Sequence, residues 1–183
     1  KRKKNAVAYA AGVAALTLSL SVSAAIHDNA LPTGQQIKSG SADFTQAGNT
    51  LNINQHSQHL ATNWNTFNIG SNAAVNFNQL NQSSVAVNRV LDNNASQIMG
   101  RLNANGQVIL INPNGVVFSK TAQVNVGGIV ASTLDLQQQD VLDGKFTFTG
   151  SGKTLFLDQL RAGREMVRIK ASGKSVGNKN SEA

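Results

Sequence analysis

The chain of 183 residues contains no cysteine, which excludes a disulfide framework and a thiolate metal site. Export is still open to it, because a protein that crosses a periplasm unfolded gains from having no thiols to pair early. Charge is also scarce. Charged residues make up 14% of the chain, against roughly 25% in ordinary soluble domains. Between residues 25 and 144 there is no glutamate, and the aspartates Asp28, Asp43, Asp92, Asp135, Asp140 and Asp143 are scattered. Aromatic residues make up 5%, too few to suggest a stacking platform for sugars.

The net charge of +7 suggests a nucleic-acid partner until its placement is considered. Lys1, Arg2, Lys3 and Lys4 open the chain, and Lys145, Lys153, Arg161, Arg164, Arg168, Lys170, Lys174 and Lys179 close it. The centre holds only Lys38, Arg89, Arg101 and Lys120, so it is slightly acidic. Phosphate binding needs clustered positive charge. No nucleic-acid partner is expected.

The first 24 residues read as an export signal. A basic start is followed by an apolar run over residues 6–20 and by Ser21-Val22-Ser23-Ala24-Ala25. Val22 and Ala24 suit positions −3 and −1 for cleavage between Ala24 and Ala25, and a cut one residue later is the alternative. The run is too short and too rich in Ala and Ser for a membrane span. It implies passage through the Sec machinery.

After the signal, short strands are expected. Thr50-Leu51-Asn52-Ile53-Asn54, Ala74-Val75-Asn76-Phe77-Asn78, residues 84–90 and Gln123-Val124-Asn125-Val126 alternate with a period of two, which predicts half-buried strands. Val108-Ile109-Leu110-Ile111 is continuously apolar and is expected to be covered on both faces. Turns fall at Asn68-Ile69-Gly70-Ser71-Asn72, Asp92-Asn93-Asn94, Asn103-Ala104-Asn105-Gly106 and Asn112-Pro113-Asn114-Gly115. No 3.6-residue period is visible over residues 25–133, so this stretch is all-β. Asparagine dominates the polar positions beside the strands. In stacked coils such amides can bond one another from rung to rung, which favours a β-solenoid over a sandwich. Beyond Asp143 the composition turns basic. Residues 155–169 read as a short amphipathic helix, and residues 171–183 as a disordered end.

Several segments in fixed order resemble the two-partner secretion domain of filamentous-haemagglutinin-like exoproteins, also called the haemagglutination-activity domain. They are Ala30-Leu31-Pro32-Thr33-Gly34, Gln46-Ala47-Gly48-Asn49-Thr50-Leu51-Asn52-Ile53, Asn63-Trp64-Asn65-Thr66-Phe67-Asn68-Ile69-Gly70, Val75-Asn76-Phe77 and Ser84-Val85-Ala86-Val87-Asn88-Arg89-Val90. The strongest block spans residues 98–136, with Asn112-Pro113-Asn114-Gly115-Val116-Val117-Phe118 and Val124-Asn125-Val126-Gly127-Gly128-Ile129-Val130-Ala131-Ser132-Thr133.

The resemblance implies a right-handed parallel β-helix with an N-terminal cap. It also implies recognition by the periplasmic domains of an Omp85-type outer-membrane transporter, and export through the periplasm to the cell surface or medium. It divides the chain into a signal peptide (1–24), a shortened secretion domain (25–150) and a basic, partly disordered tail (151–183). One branch of the family carries Asn-Pro-Asn-Leu ahead of Asn-Pro-Asn-Gly. Here Phe77-Asn78-Gln79-Leu80-Asn81 stands in that region, which points to the other branch.

The candidate residues have competing readings. Asn112, Pro113, Asn114 and Gly115 have the chemistry of a tight turn, so they form a corner of the helix or part of the transporter-recognition surface. Turn chemistry accounts for the residue types and is the weightier reading. Trp64, Phe67 and Phe77 are expected in cap or core packing, with a surface stacking role for Trp64 as the lesser alternative. His56 and His59 have no further ligand nearby, so no metal site and no cofactor are expected. Ser151-Gly152-Lys153-Thr154 mimics the end of a phosphate loop, but its first glycine would fall at Thr147.

Function follows as a targeting module of an adhesin, a haemagglutinin or a contact-dependent toxin, with no enzymatic activity of its own. Any host or bacterial receptor would be met by downstream sequence. The competing functions are a β-helical polysaccharide-active enzyme, which would need a groove joining two aspartates and an arginine, and a carbohydrate-binding module.

Overall fold

The computed structural model describes residues 25–136 throughout and, beyond them, the backbones of Phe148–Thr149, Thr154–Leu157 and Val167–Ile169. The signal segment, with Ala24 of its cleavage site, lies outside the described residues, and so do Asp140, Asp143 and the rest of the basic tail. Ala25 is exposed at the start of the described chain.

Two strands, β1 (Gln36–Ser39) and β2 (Ala42–Ala47), precede the coils. The first coil is β3 (Thr50–Gln55) and β4 (His59–Trp64). The second is β5 (Ala74–Asn78), β6 (Val85–Val90) and β7 (Ser96–Ile98). The third is β8 (Arg101–Ala104), β9 (Gln107–Ile111) and β10 (Val116–Phe118). The fourth holds β11 (Gln123–Asn125) and β12 (Gly128–Ser132), followed by the short β13 (Asp135–Leu136). Each strand pairs in parallel with its equivalent one coil earlier, so the chain winds into a β-solenoid. Among the described residues there is no helix.

Stacking in register builds the core as columns. Leu51, Val75, Leu102 and Val124 form one, and Leu60, Ala86, Val108 and Ile129 another. Trp64, Phe67, Phe77 and Phe118 fill the widest places and are almost wholly buried. Each such side chain contributes about 1.5–3 kcal/mol by leaving water.

A stack of parallel strands must end somewhere, and a bare edge invites another chain. At the first coil, β1 lies antiparallel on β4 and β2 antiparallel on β3. On the third side, the Gly70 amide donates to the Ala30 carbonyl (2.9 Å) and the Asn72 amide to the Asp28 carbonyl (2.8 Å). Thr33 bridges Thr66. The N-terminal residues therefore cap all three sides.

The two main sheets differ on their outer faces. On the sheet of β3, β5, β8 and β11 the outward side chains are mostly asparagines. On the sheet of β4, β6, β9 and β12 the centre of the outer face is apolar: Ala61, Val85, Val87, Ile109 and Ile111 form a second buried cluster outside the solenoid, with Leu136 packed into it and His59, Asn63, Arg89 and Gln107 at its margins. Val108 and Leu110 of β9 belong to the inner core, so this strand is covered on both faces, as its unbroken apolar run predicts. The same holds for β6, where alternation predicts a half-buried strand. Its Val85 and Val87 point to the outer cluster, while Ala86 and Val90 point inward.

At both ends of the helix expected over residues 155–169 the backbone is strand, and residues 158–166 lie outside the described residues. β14 (Phe148–Thr149) pairs with β13, β15 (Thr154–Leu157) pairs antiparallel with β12, and β16 (Val167–Ile169) pairs antiparallel with β10. The free edges of β10 and β12 offer backbone partners, and this tertiary opportunity overrides a weak helical period.

Candidate functional site

The Asn-Pro-Asn-Gly segment is the corner between β9 and β10. Asn112 enters it fully buried. Its side-chain oxygen accepts the Asn114 amide at 2.9 Å, an Asx turn, and the Gly115 amide donates to the Asn112 carbonyl at 2.9 Å. Gly115 sits at φ 110°, a conformation that favours glycine. The Asn112 side-chain amide donates to the Asn94 carbonyl and to the Ser96 hydroxyl, each at 3.0 Å. The Asn114 side chain reaches the Asp92 carbonyl at 2.6 Å. The corner is therefore fastened to Asp92-Asn93-Asn94, the corner of the coil before it. Pro113 and Asn114 face solvent while Asn112 and Gly115 do not, so the motif has a structural half and an accessible half.

Trp64 lies inside, where the first coil meets the cap. Its ring meets Phe44 of β2 edge-on at 5.7 Å and Phe67 edge-on at 5.4 Å, and its indole N–H donates to the Asn88 side-chain oxygen. With Trp64 wholly buried, surface stacking has no place. Phe77 stacks over Ile53 in the next coil.

The outer asparagines form ladders. The Asn76 amide donates to Asn52 and the Asn103 amide to Asn76, both at 2.8 Å, and the Asn78 amide donates to Asn54 at 2.8 Å. Where this sheet turns toward the next, buried glutamines take over. Gln79 donates to the Gln55 side chain (3.0 Å) and the Ser84 carbonyl (3.2 Å), and accepts the Gly106 amide (2.9 Å). An open groove of about 540 Å³ runs beside these amides, and among the described residues no charged one lines it.

The groove of two aspartates and an arginine, which an enzyme of this fold would need, does not form from the described residues. Arg89 meets Asp135 alone (2.7 Å), and Asp43 faces His56 (2.8 Å) at an exposed site. No cluster of three His, Asp or Glu occurs among the described residues. Sequence reasoning passed over Arg89, Asn88, Gln55 and Gln79. Asn88 had one signal: within β6 it shares the parity of Ala86 and Val90, which places it inside.

A coil-by-coil stack with an N-terminal cap and an Asn-Pro-Asn-Gly corner narrows the family sharply, and the comparison decides it. Residues 24–181 match the TPS secretion domain. The chain belongs to this family. The TPS match runs past Gly150 into the basic tail. The heme/hemopexin-binding protein of Haemophilus influenzae strain Rd is 44% identical over 108 residues, 59% of this chain and 12% of that protein. A second H. influenzae heme/hemopexin-binding protein is 43% identical over 99 residues, 54% of this chain and 11% of its own length. This chain thus spans about an eighth of these curated relatives. The crystal structure of the HMW1 secretion domain from H. influenzae superposes with a TM-score of 0.62 at 37% identity, over 67% of this chain and 34% of that one. TPS secretion domains belong to exoproteins that leave the cell through an outer-membrane partner, so transporter-linked secretion is the family's role.

Proposed function

We propose that this chain is the N-terminal targeting domain of a large surface-exposed or secreted adhesin or haemagglutinin. The Sec machinery delivers it to the periplasm, with cleavage between Ala24 and Ala25. The periplasmic domains of an Omp85-type transporter then recognise it, and the exoprotein threads to the cell surface. The family match over residues 24–181 carries this reading. Folding supports it physically. The cap and the stacked columns let each new coil add buried apolar surface to the one before it, and this free energy favours outward movement. Within that role, Asn112 and Gly115 hold the corner, while Pro113 and Asn114 are the accessible part of the motif available to the transporter. Trp64, Phe67 and Phe77 fasten cap to core. Heme or hemopexin binding, named for the relatives, would reside in downstream sequence, as would contact with any host or bacterial receptor.

The test is co-expression with and without the transporter, with residues 25–183 assayed in the medium. Release only with the transporter supports the assignment. Equal release in both cases, or retention in both, refutes it.

A further inference from the structure

The outer face of the β4–β6–β9–β12 sheet departs from the rest of the surface. On the β3–β5–β8–β11 sheet most outward positions are asparagines that water can serve. On the β4–β6–β9–β12 sheet Val85, Val87, Ile109 and Ile111 point outward and are nonetheless buried. Such a face has to be covered, because a contiguous apolar patch on an exported protein is a contact site for other molecules.

The chain supplies a cover just after the fourth coil. The Ser132 hydroxyl takes the Leu134 amide (2.9 Å) and donates to the Leu134 carbonyl (3.1 Å), which turns the chain out of β12. Leu136 then enters the outer cluster, where it is 1% exposed. Arg89 stands in line with Val85 and Val87 on β6, opposite Ile111 in register. Its Nε donates to one Asp135 carboxylate oxygen at 2.8 Å, Nη2 lies 2.7 Å from the same oxygen as an ion pair, and Nη2 donates to the Leu136 carbonyl. A residue 46 positions earlier thus grips the cover at the point where its leucine goes in.

The grip is of moderate strength by construction. The Arg89 side chain is 22% exposed and that of Asp135 57%, so water weakens the pair. The cover itself is β13, which pairs with β14 in a two-stranded ribbon, and such ribbons are marginal alone.

We propose that Leu134-Asp135-Leu136 is a latched strap. It opens as a unit without unwinding the solenoid, and Arg89 sets how often the apolar face beneath is exposed. This inference does not depend on the transporter assignment.

The experiment is amide exchange by mass spectrometry on the full chain, alongside binding of the apolar dye ANS. Arg89→Ala should speed exchange over residues 134–136 about tenfold and raise ANS binding, while the amides of β5, β6 and β9 keep their protection. The charge-swapped pair Arg89→Asp with Asp135→Arg should restore both readouts only in part, because it rebuilds the ion pair and not the bonds to the Leu136 carbonyl and amide. Leu136→Ala keeps the ion pair and removes the plug. It should raise ANS binding without Arg89 being touched. Unchanged exchange over residues 134–136 in Arg89→Ala would overturn the latch. A uniform loss of protection through the coils would overturn the strap as a separate opening unit.

Discussion

The indole N–H of Trp64 donates to the side-chain oxygen of Asn88 at 3.0 Å, inside the solenoid and one coil away. The Asn88 amide in turn donates to the carbonyls of Ala86 (3.2 Å) and Ile109 (3.3 Å). One buried asparagine therefore ties three consecutive coils together. Asn88→Leu would keep the volume and remove every one of these bonds. The expected loss is about 1–3 kcal/mol for each polar group left unpaired, read from urea unfolding. Trp64→Phe should cost less in the Asn88→Leu background than in wild type, because the indole N–H is already orphaned there.

The Asn-Pro-Asn-Gly corner should separate into two kinds of residue. Asn112→Ala breaks the bonds to Asn94, Ser96 and Asn114, and is expected to lower stability by about 1–3 kcal/mol. Pro113→Ala, at an exposed position, should stay within about 0.5–1 kcal/mol. If the exposed half is what the transporter reads, Pro113→Ala and Asn114→Ala should reduce secretion while the thermal midpoint barely moves. Secretion that instead tracks stability across all these variants would assign the whole motif to folding.

Glycine positions give a graded test of the cap. Gly40 (φ 80°) leaves no room for a side chain: a Cβ would lie 2.3 Å from the His59 carbonyl oxygen. Gly48 (φ 56°) faces open space. Gly48→Ala should cost only the left-handed backbone penalty, about 1–2 kcal/mol. Gly40→Ala should cost clearly more, since it must also displace β4 from β1. Thermal unfolding of the two variants gives the comparison.

The asparagine ladder should weaken in proportion to the bonds lost. Asn76 makes one ladder bond to each neighbour, and Asn78 makes one in all. Asn76→Ala should cost about 1–2 kcal/mol and Asn78→Ala about half that, because net hydrogen-bond contributions are near 1 kcal/mol each. Equal losses would mean that the ladder contributes little to stability.

Much of this fold was legible because each strand's alternation is local. Leu51 and Ile53, or Val75 and Phe77, announce an inner face without reference to any other strand. The rung-to-rung amide bonding was legible too, since few architectures put so much asparagine beside short strands. The repeat was not, and the coils show why. Asn52 and Asn76 are 24 residues apart, whereas Asn76 and Asn103 are 27 apart. The corners absorb the difference, so the strands align in space but not along the sequence. The outer apolar cluster was hidden for another reason. Val85 and Val87 look like the buried side of an ordinary half-exposed strand until a second layer, reached through Leu136, is known to cover them. Arg89 read as one of four scattered bases because its partner Asp135 lies two coils further on.

The cap has a consequence for how molecules meet one another. A solenoid that ended in a bare first coil would carry an edge matching the one its last coil offers, and copies could add head to tail without limit, as in a fibre. The reversed directions of β1 and β2 break that match. The lower edge is no longer a copy of the coil that the upper edge would receive, so end-to-end growth between molecules stalls at the first contact. At the other end β15 and β16 likewise run antiparallel, on β12 and β10, so on these sheets neither end presents the parallel rung that a neighbouring molecule would have to extend.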